Sequence, residues 1–438
     1  MKYTFMKGCE SMIIHTVKNG ETLYSISSLY GLTPTFIQSI NALPNPENLV
    51  VGQSLVILFP KTLHTVTKGE TLSSIAEKYS VSTRQLFRNN PFLKGNDILY
   101  SGMLIVIEYE EQENSVPVIS NAYTYAGLSS GYLKQIMSYL TYIISFTYGI
   151  NEDGSLIPID DYMVTETAQM YKTIPLMHLS TLTSTGVFSN ALAAVVLNNT
   201  YLQDKIIENI VKEVKEKGYG GVDIDFEFLP AENSLDYAKF ISKITSEMNK
   251  LGFITVVALA PKTSADQPGL LYEGHNYSAL SNAADYVFVM TYEWGYTYGP
   301  PMAVSPIKSV ENVIKYALSE MSSRKIIMGL PSYGYNWTLP YVKGESKAVS
   351  ISSDEAVMTA LKYSAEILFD EYTQTPYFYY TDENMKNHEV WFEDARSAYA
   401  KFELLKKYNL AGGGYWNLER PFLQSHMIMN VMFDIEEK

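Results

Sequence analysis

The sequence predicts an α/β protein: a (β/α)8 barrel with a small α+β insertion, preceded by two small βααβ modules. Two observations lead to this prediction. Apolar, β-rich runs alternate with helical patterns from residue 118 onward, and one motif near the N-terminus recurs further along the chain. Eight alternating units over about 300 residues favour a closed barrel, with a doubly wound sheet as the competing architecture.

Composition excludes several classes of function. The chain has 438 residues, 46% hydrophobic residues and a formal net charge of −14, which argues against binding to nucleic-acid backbones. No stretch reaches the ~20 apolar residues of a membrane span. Residues 1–12 lack the apolar core of a signal peptide, so we expect a leaderless protein that does not enter membranes. A monomer is expected.

Cysteine and histidine usage bears on metals and bridges. Cys9 is the single cysteine, so an internal disulfide and a multi-thiolate metal site are excluded. The six histidines have no ligand spacing, and His178, within an apolar run, is expected to be a hydrogen-bonded core residue rather than a metal ligand. No cofactor or metal is expected.

The N-terminal repeat has two copies. The segment His15 to Leu23 recurs as His64 to Leu72, with Asn41 matching Asn90, and each copy closes on a glycine before a short apolar strand. Hydroxyl residues in capping positions precede each helical pattern, so each copy reads as strand, helix, helix, strand.

These residues resemble LysM modules, which we place at residues 13–59 and 62–108. The resemblance implies a shallow groove that binds glycans containing N-acetylglucosamine, such as peptidoglycan and chitin. The loops after Gly20 and Gly69 and those around Asn41 and Asn90 are candidate groove walls, and two copies on one chain would add avidity for a polymer. Residues 108–117 are acidic and end in proline, which predicts a solvated linker.

The large domain, residues 118–438, carries eight candidate strands. The helix that precedes the fourth strand shows an apolar stripe from Leu202 to Val214 and ends at Gly218. The interval between the last two strands is too long for one helix, so residues about 343–397 are assigned to the insertion. The candidate strands are Ala122 to Tyr125, Tyr142 to Phe146, Ile174 to Leu179, Val222 to Phe228, Phe253 to Leu259, Tyr286 to Thr291, Ile326 to Leu330 and Gly413 to Trp416.

Three acidic residues alternate with apolar ones in the fourth strand. Asp223, Asp225 and Glu227 would share one face, about 6.6 Å apart along the strand. Buried carboxylates are costly unless they are paired or used in chemistry. Because like charges couple their titrations, one member is expected to keep its proton at neutral pH and act as a general acid. Glu227, at the barrel mouth, is the best candidate.

The same strand resembles the Asp-x-x-Asp-x-Asp-x-Glu motif of family 18 glycoside hydrolases, with Gly220 in place of the first Asp. The resemblance implies that Glu227 is the general acid/base, that Asp225 orients the substrate acetamide, and that Asp223 shares a proton with Asp225. Such enzymes are the substrate-assisted exception among retaining glycosidases. The sugar's own acetamide oxygen attacks C1, and no metal is needed.

Two further motifs agree with this family. The segment Met290 to Glu293 resembles the family's Met-x-Tyr-Asp, which implies that Tyr292 contacts the acetamide; Glu293 stands in for the Asp. Trp416 matches the tryptophan that forms the floor under the reacting sugar. Met290, Glu293, Trp416, and Tyr333 and Trp337 after the seventh strand are the candidate substrate-binding residues.

Together the modules and the barrel resemble spore cortex-lytic N-acetylglucosaminidases. We therefore expect a retaining peptidoglycan hydrolase that cleaves β-1,4 bonds after N-acetylglucosamine and becomes associated with the spore or cell wall after cytoplasmic synthesis. A chitinase or chitooligosaccharide hydrolase is the alternative within the same class. A non-catalytic glycan-binding protein of the cell wall or spore coat is the alternative from another class.

Overall fold

The computed structural model describes residues 12–110 and 116–438. Cys9, nearly all of the N-terminal stretch judged for a signal peptide, and residues 111–115 of the predicted linker lie outside the described residues. The two ends of that linker prediction are strand residues, since Tyr109 ends one strand and Val116 begins the next. Within the described ranges, no helix is both long and apolar enough to cross a membrane.

Each N-terminal module folds as strand, helix, helix, strand, as predicted. Thr22 and Thr71 each cap a first helix through a reciprocal bond with the serine three residues later, which satisfies helix N–H groups that would otherwise lack partners. The elements are β1 (Met12–Thr16), α1 (Leu23–Tyr30), α2 (Pro34–Asn41), β2 (Ser54–Leu58), β3 (Pro60–Thr65), α3 (Leu72–Tyr79), α4 (Thr83–Asn89) and β4 (Leu104–Tyr109).

The next part of the chain alternates strand and helix. Its elements are β5 (Val116–Tyr125), α5 (Ser130–Ile136), β6 (Tyr142–Ile150), β7 (Leu156–Ile157), α6 (Tyr162–Met170), β8 (Ile174–Ser180), α7 (Asn190–Leu197), α8 (Thr200–Lys217), β9 (Gly221–Asp225), α9 (Ser234–Lys250), β10 (Ile254–Leu259), α10 (Leu270–Glu273), α11 (Tyr277–Ala283), β11 (Tyr286–Val289), α12 (Ile307–Glu320) and β12 (Ile326–Pro331).

The C-terminal part contains the insertion and the end of the barrel. Its elements are β13 (Tyr333–Thr338), β14 (Val349–Ser352), α13 (Ser353–Lys362), β15 (Leu368–Asp370), β16 (Thr375–Thr381), β17 (Asn387–Trp391), α14 (Ala395–Lys407), β18 (Gly412–Trp416), α15 (Leu423–Met432) and β19 (Phe433–Ile435).

Eight parallel strands close into a barrel, which confirms the predicted fold class. The order is β5-β6-β8-β9-β10-β11-β12-β18, and β18 returns to pair with β5. Inward-facing apolar side chains such as Ile144, Val256 and Ile327 fill the interior. Helix α8 ends where the sequence predicts, because Gly218 takes the left-handed conformation with a φ of 71°.

The insertion is a five-stranded antiparallel sheet with α13 against it, in the order β14-β13-β17-β16-β15. It begins at Tyr333, directly after β12, and so earlier than the expected start near residue 343. The reason is long-range pairing: β13 lies between β14 and β17, and sequence periodicity carries no signal for such a partner.

The first module is docked on the insertion through the loop before β2. Val50 is 5% exposed within the insertion's core, and the Val51 carbonyl accepts from the Ile367 N–H at 2.9 Å. A side chain at Gly52 would come within 1.8 Å of the Ile367 carbonyl oxygen. Only glycine fits this approach, and the module is therefore held close to the barrel.

The second module is held through its helix α4 instead. Arg88 donates to Glu437 at 2.8 Å and to the Asn430 side chain at 2.9 Å. The loop that corresponds to the docked loop of the first module is open here, with Tyr100 69% exposed. The two modules therefore present different loops to solvent.

Candidate active site

A cleft of about 1120 Å³ opens at the C-terminal ends of the barrel strands. This is the end at which barrels of this kind carry catalytic groups. The cleft combines aromatic side chains with acidic ones. Its lining includes Tyr123, Tyr125, Phe146, Phe188, Asp225, Glu227, Phe228, Met290, Tyr292, Glu293, Trp294, Tyr296 and Trp416.

The acidic row runs from the barrel interior into this cleft. Asp223 is fully buried, the Asp225 side chain is 12% exposed, and Asp225 and Glu227 both line the cleft. Strand β9 ends at Asp225. Glu227 therefore lies on the following loop, whereas the sequence pattern predicts that it lies within the strand. The chain turns here because Phe226 packs under the cleft and Phe228 has a φ of 55°.

Phe226 anchors that turn. Its ring is fully buried and stacks on Tyr237 of α9 with ring centroids 5.6 Å apart and planes 3° apart. The buried ring fixes the loop from below. Glu227, next in sequence, is thereby held over the cleft, on the opposite side of the chain from the helix layer.

Two groups meet Asp223 on the barrel floor. The Tyr123 hydroxyl donates to Asp223 Oδ2 at 2.9 Å. His178 Nε2 lies 3.6 Å from the same oxygen and 3.7 Å from Asp225 Oδ2. His178 is fully buried and hydrogen-bonded to Thr147, as expected of a core histidine, but its position facing the acids was not predicted.

Burial makes these acids hard to ionise. Desolvation raises the pKa of Asp223, and desolvation together with the Asp223 charge raises the pKa of Asp225. The pKa of Glu227 is raised to about 8, first by desolvation and then by the charges of Asp225 and Glu293. Glu227 therefore holds its proton at neutral pH while lining an open cleft, which is the state that a general acid requires.

One wall of the cleft follows strand β11. Met290, Tyr292 and Glu293 all line it, and Tyr292 is 8% exposed. Desolvation raises the pKa of the Tyr292 phenol well above its usual value, followed by the charges of Asp225 and Glu293. The hydroxyl therefore remains a hydrogen-bond donor across the physiological pH range.

Trp416 forms the aromatic floor of the cleft at the end of β18. Its ring centroid lies 5.4 Å from that of Tyr123 and 5.0 Å from that of Phe146, both in edge-on contacts. Trp416 also lines the cleft, where an aromatic ring offers stacking area to a sugar. This placement brings Trp416 together with the acidic row, as the sequence motif predicted.

Two predicted substrate contacts lie outside the cleft lining. Trp337 is 1% exposed and donates from Nε1 to the Gly299 carbonyl at 2.8 Å. Tyr333 is 6% exposed, and its hydroxyl lies 3.5 Å from Glu293 Oε1. Both belong to β13, whose pairing buries them, so neither lines the cleft in this structure, and Tyr333 contacts the cleft residue Glu293.

Gly220, the departure from the motif, is tightly packed. A Cβ at this position would come within 2.3 Å of Ile174 Cγ2, so an aspartate does not fit without rearrangement. Tyr123 and His178, which the sequence motifs do not indicate, face the inner acids, and Tyr123 donates a hydrogen bond to Asp223. In the part of the chain that the structure describes, no group of three or more acidic, His or Cys side chains is arranged to hold a metal ion.

Comparison with known proteins agrees with this geometry. Residues 112–420 match the family described as glycosyl hydrolases family 18, and residues 15–58 and 64–108 match the LysM domain. The chain is 38% identical over 436 residues to a cortical fragment-lytic enzyme of Bacillus subtilis (strain 168), covering 98% of this chain and 99% of the relative.

Solved structures give the same result. The spore cortex-lytic enzyme SleL of Bacillus megaterium QM B1551 is 37% identical, with a TM-score of 0.82 and coverage of 98% and 99% of the two chains. That of Bacillus cereus is 34% identical, with a TM-score of 0.83 and the same coverage. The chain is a glycoside hydrolase that belongs to family 18 and carries two LysM domains ahead of its catalytic barrel.

Proposed function

We propose that this protein hydrolyses spore cortex peptidoglycan at the β-1,4 bond after N-acetylglucosamine, with retention of the anomeric configuration. The observation that carries the proposal is the full-length similarity to cortical fragment-lytic enzymes, which includes both modules as well as the barrel. The position of Glu227 in an open cleft supports the catalytic part. The same similarity supports association of the protein with the spore or its wall.

Glu227 starts the reaction as an acid. Its carboxyl donates a proton to the glycosidic oxygen while the acetamide oxygen of the sugar attacks C1, so the bond to the leaving sugar breaks as a cyclised intermediate forms. The resulting Glu227 carboxylate then takes a proton from water, which opens the intermediate at C1. Two inversions at the same carbon give net retention.

Asp225 and Tyr292 position the acetamide. Asp225 lines the cleft beside Glu227, where its carboxylate accepts from the acetamide N–H and stabilises the positive charge that develops on cyclisation. Tyr292, kept protonated by burial, donates to the acetamide carbonyl. Asp223 accepts a hydrogen bond from Tyr123 below it. It holds the proton that it shares with Asp225 on the side away from the reacting sugar.

The aromatic floor excludes water from the reacting carbon. Trp416 stacks under the sugar ring, and Met290 adds apolar surface on the β11 wall. Glu293 has a separate electrostatic role, because its charge is one of the causes that raise the pKa of Glu227.

A glycan digest distinguishes cortex peptidoglycan from chitin. We expect the purified protein to release reducing ends from cortex fragments much faster than from chitin oligomers of equal length. The reason is that this chain is similar to cortical fragment-lytic enzymes over its full length, modules and barrel included. New reducing ends and the product masses are measured for both substrates. Rapid turnover of chitin oligomers with little release from cortex fragments would replace this proposal with the chitinase.

The non-catalytic alternative has little support. A binding protein has no need for a glutamate that lines a cleft and whose proton is retained by burial and by two neighbouring charges. Membership of a hydrolase family and an intact acidic row both favour an enzyme. If the protein releases no reducing ends from any glycan containing N-acetylglucosamine, the non-catalytic binding protein becomes the better explanation.

The pH dependence of the reaction follows from the state of Glu227. The acid form is the active one, so the alkaline limb of kcat/KM is expected to fall as the pH rises through about 8, whereas the acid limb reports ionisation of the Asp223 and Asp225 pair. Replacing Glu293 by Gln removes one of the charges that raise this pKa. The alkaline limb of the kcat/KM profile of Glu293→Gln should therefore move to lower pH.

The matched control is Glu345→Gln, which makes the same change at an exposed residue of the insertion. Its profile should overlay that of the wild type. An alkaline limb that stays in place in Glu293→Gln, or that moves to higher pH, would contradict the assignment of this limb to Glu227.

A further inference from the structure

His178 lies in the barrel interior, beneath the cleft. It belongs to β8, where its register partner on β9 is Asp223, and its side chain is fully buried. The Phe146 ring lies over the imidazole with centroids 4.7 Å apart, and Tyr123 meets it edge-on at 5.8 Å. Because His178 does not line the cleft, substrate cannot touch it.

The two ring nitrogens have different surroundings. Nδ1 lies 2.6 Å from the Thr147 hydroxyl. Nε2 has no hydrogen-bond partner, although it is buried and points between the two acids at 3.6 Å and 3.7 Å. The buried Oδ1 atoms of Asp223 and Asp225 also have no partner. A buried polar atom without a partner is costly, so these atoms are arranged for something other than stability.

The Thr147 hydroxyl allows either tautomer of the ring. It lies 3.0 Å from the Tyr148 carbonyl and 2.9 Å from the Ser180 hydroxyl. When its proton goes to one of these, Nδ1–H donates to Thr147, and Nε2 is left as an acceptor for a protonated acid. When its proton goes to Nδ1 instead, Nε2–H donates to an ionised acid. The second arrangement, in which the Thr147 hydroxyl donates to Nδ1, is the one in which Nε2–H can donate to an ionised acid.

We propose that His178 is a positioning residue for the reaction. It holds the inner acids Asp223 and Asp225 from below through Nε2–H, which donates to whichever of the two carboxylates is ionised as their shared proton passes from one acid to the other and Asp225 engages the acetamide. This rests on the proposed hydrolysis and deepens it. Family membership does not assign this histidine a role, and a purely structural histidine would need no pair of acids opposite its free nitrogen.

The surroundings keep the ring neutral. Burial lowers the pKa of His178 to about 3. The titratable groups that face it are Asp223 and Asp225 from β9 and Tyr123 from β5, while β6 contributes Phe146 and Thr147, which do not titrate. A neutral imidazole serves as both donor and acceptor, whereas an imidazolium would fix the acids in their charged form.

The kinetic test compares His178→Leu with His178→Gln. Leucine removes both ring nitrogens, so kcat should fall about tenfold, as expected for one hydrogen bond to a charged group, with KM little changed. Without the Nε2–H donor the acids ionise less readily, so the acid limb of the pH–rate profile should move to higher pH. Glutamine, which offers an amide donor, should recover part of the rate.

The matched control is His426→Leu, at a second fully enclosed histidine on the outer helix α15 that is 2% exposed. It should lower the melting temperature about as much as His178→Leu and leave the pH–rate profile in place. Equal profiles for the two leucine variants, or no recovery with glutamine in a folded protein, would overturn the proposal.

A second readout does not depend on turnover. In protein labelled with ¹⁵N-histidine, the Nε2 signal of His178, identified by its loss in His178→Gln, should shift between wild type and Asp225→Asn, because Nε2 faces Asp225 Oδ2. Unchanged signals would overturn the positioning role even if the glycan digest succeeds. Altered signals in a protein that cleaves no glycan would leave the coupling to the acids intact and refute the proposed hydrolysis alone.

Discussion

Replacing Glu227 by Gln is expected to abolish hydrolysis while leaving glycan binding intact. Glutamine has nearly the same shape but carries no proton that it can give to a leaving oxygen. Loss of a general acid costs about 10² to 10⁴ in rate, and the loss here should be at the upper end because the same residue acts twice, first as acid and then as base. Reducing-end release measures kcat, and calorimetry with a non-cleaved oligomer measures Kd.

Glu232→Gln is the control for this experiment. It makes the same chemical change on the same loop, but at an exposed residue, and should keep wild-type activity. If Glu227→Gln retained a rate within a few-fold of the wild type, the acid would have to be another residue. If it lost binding together with turnover, the site would be perturbed as a whole and the role of Glu227 would be unsupported.

The sequence was most informative where signals are local. The caps at Thr22 and Thr71 and the stop at Gly218 each depend on a few neighbouring residues, and the structure has the helix ends where these signals put them. The barrel strands follow the same logic, since each is a short apolar run that needs no knowledge of its partner. The barrel itself was confirmed for that reason.

The site was predicted in part. Alternation along one strand placed Asp223, Asp225 and Glu227 on one side of the chain, and the structure brings Asp225 and Glu227 into one cleft with Tyr292 and Trp416. The end of β9 was not predictable, because the turn depends on Phe226 stacking on Tyr237 of the following helix, a contact that strand periodicity does not show. The roles of these residues stay predictions until the variants are measured.

Long-range pairing explains what was missed. The sequence predicts that Trp337 lies in an aromatic loop beside the cleft. In the structure Trp337 belongs to β13, which pairs with β14 and β17, and the side chain is buried. His178 reads as an ordinary core histidine, because nothing in its own strand shows which residue lies opposite. The register of β8 against β9 supplies that information.

Removing the acetamide from the substrate is expected to have the other large effect. The reacting sugar supplies its own nucleophile, and a well-oriented intramolecular group has an effective concentration of about 10⁵ to 10⁸ M. De-N-acetylation of the sugar before the cleaved bond should therefore lower kcat/KM about a thousandfold or more. Initial rates of reducing-end release from acetylated and de-acetylated oligomers measure this loss.

The most direct test keeps the shape of the substrate and changes only the nucleophile. N-Acetyl, N-fluoroacetyl and N-trifluoroacetyl forms of one oligosaccharide are compared, since fluorine withdraws electrons from the carbonyl oxygen with little change in size. We expect kcat/KM to fall steeply with each fluorine while Kd for Glu227→Gln stays nearly constant. Equal rates across the series would show that a group of the protein, not the sugar's amide, attacks the anomeric carbon.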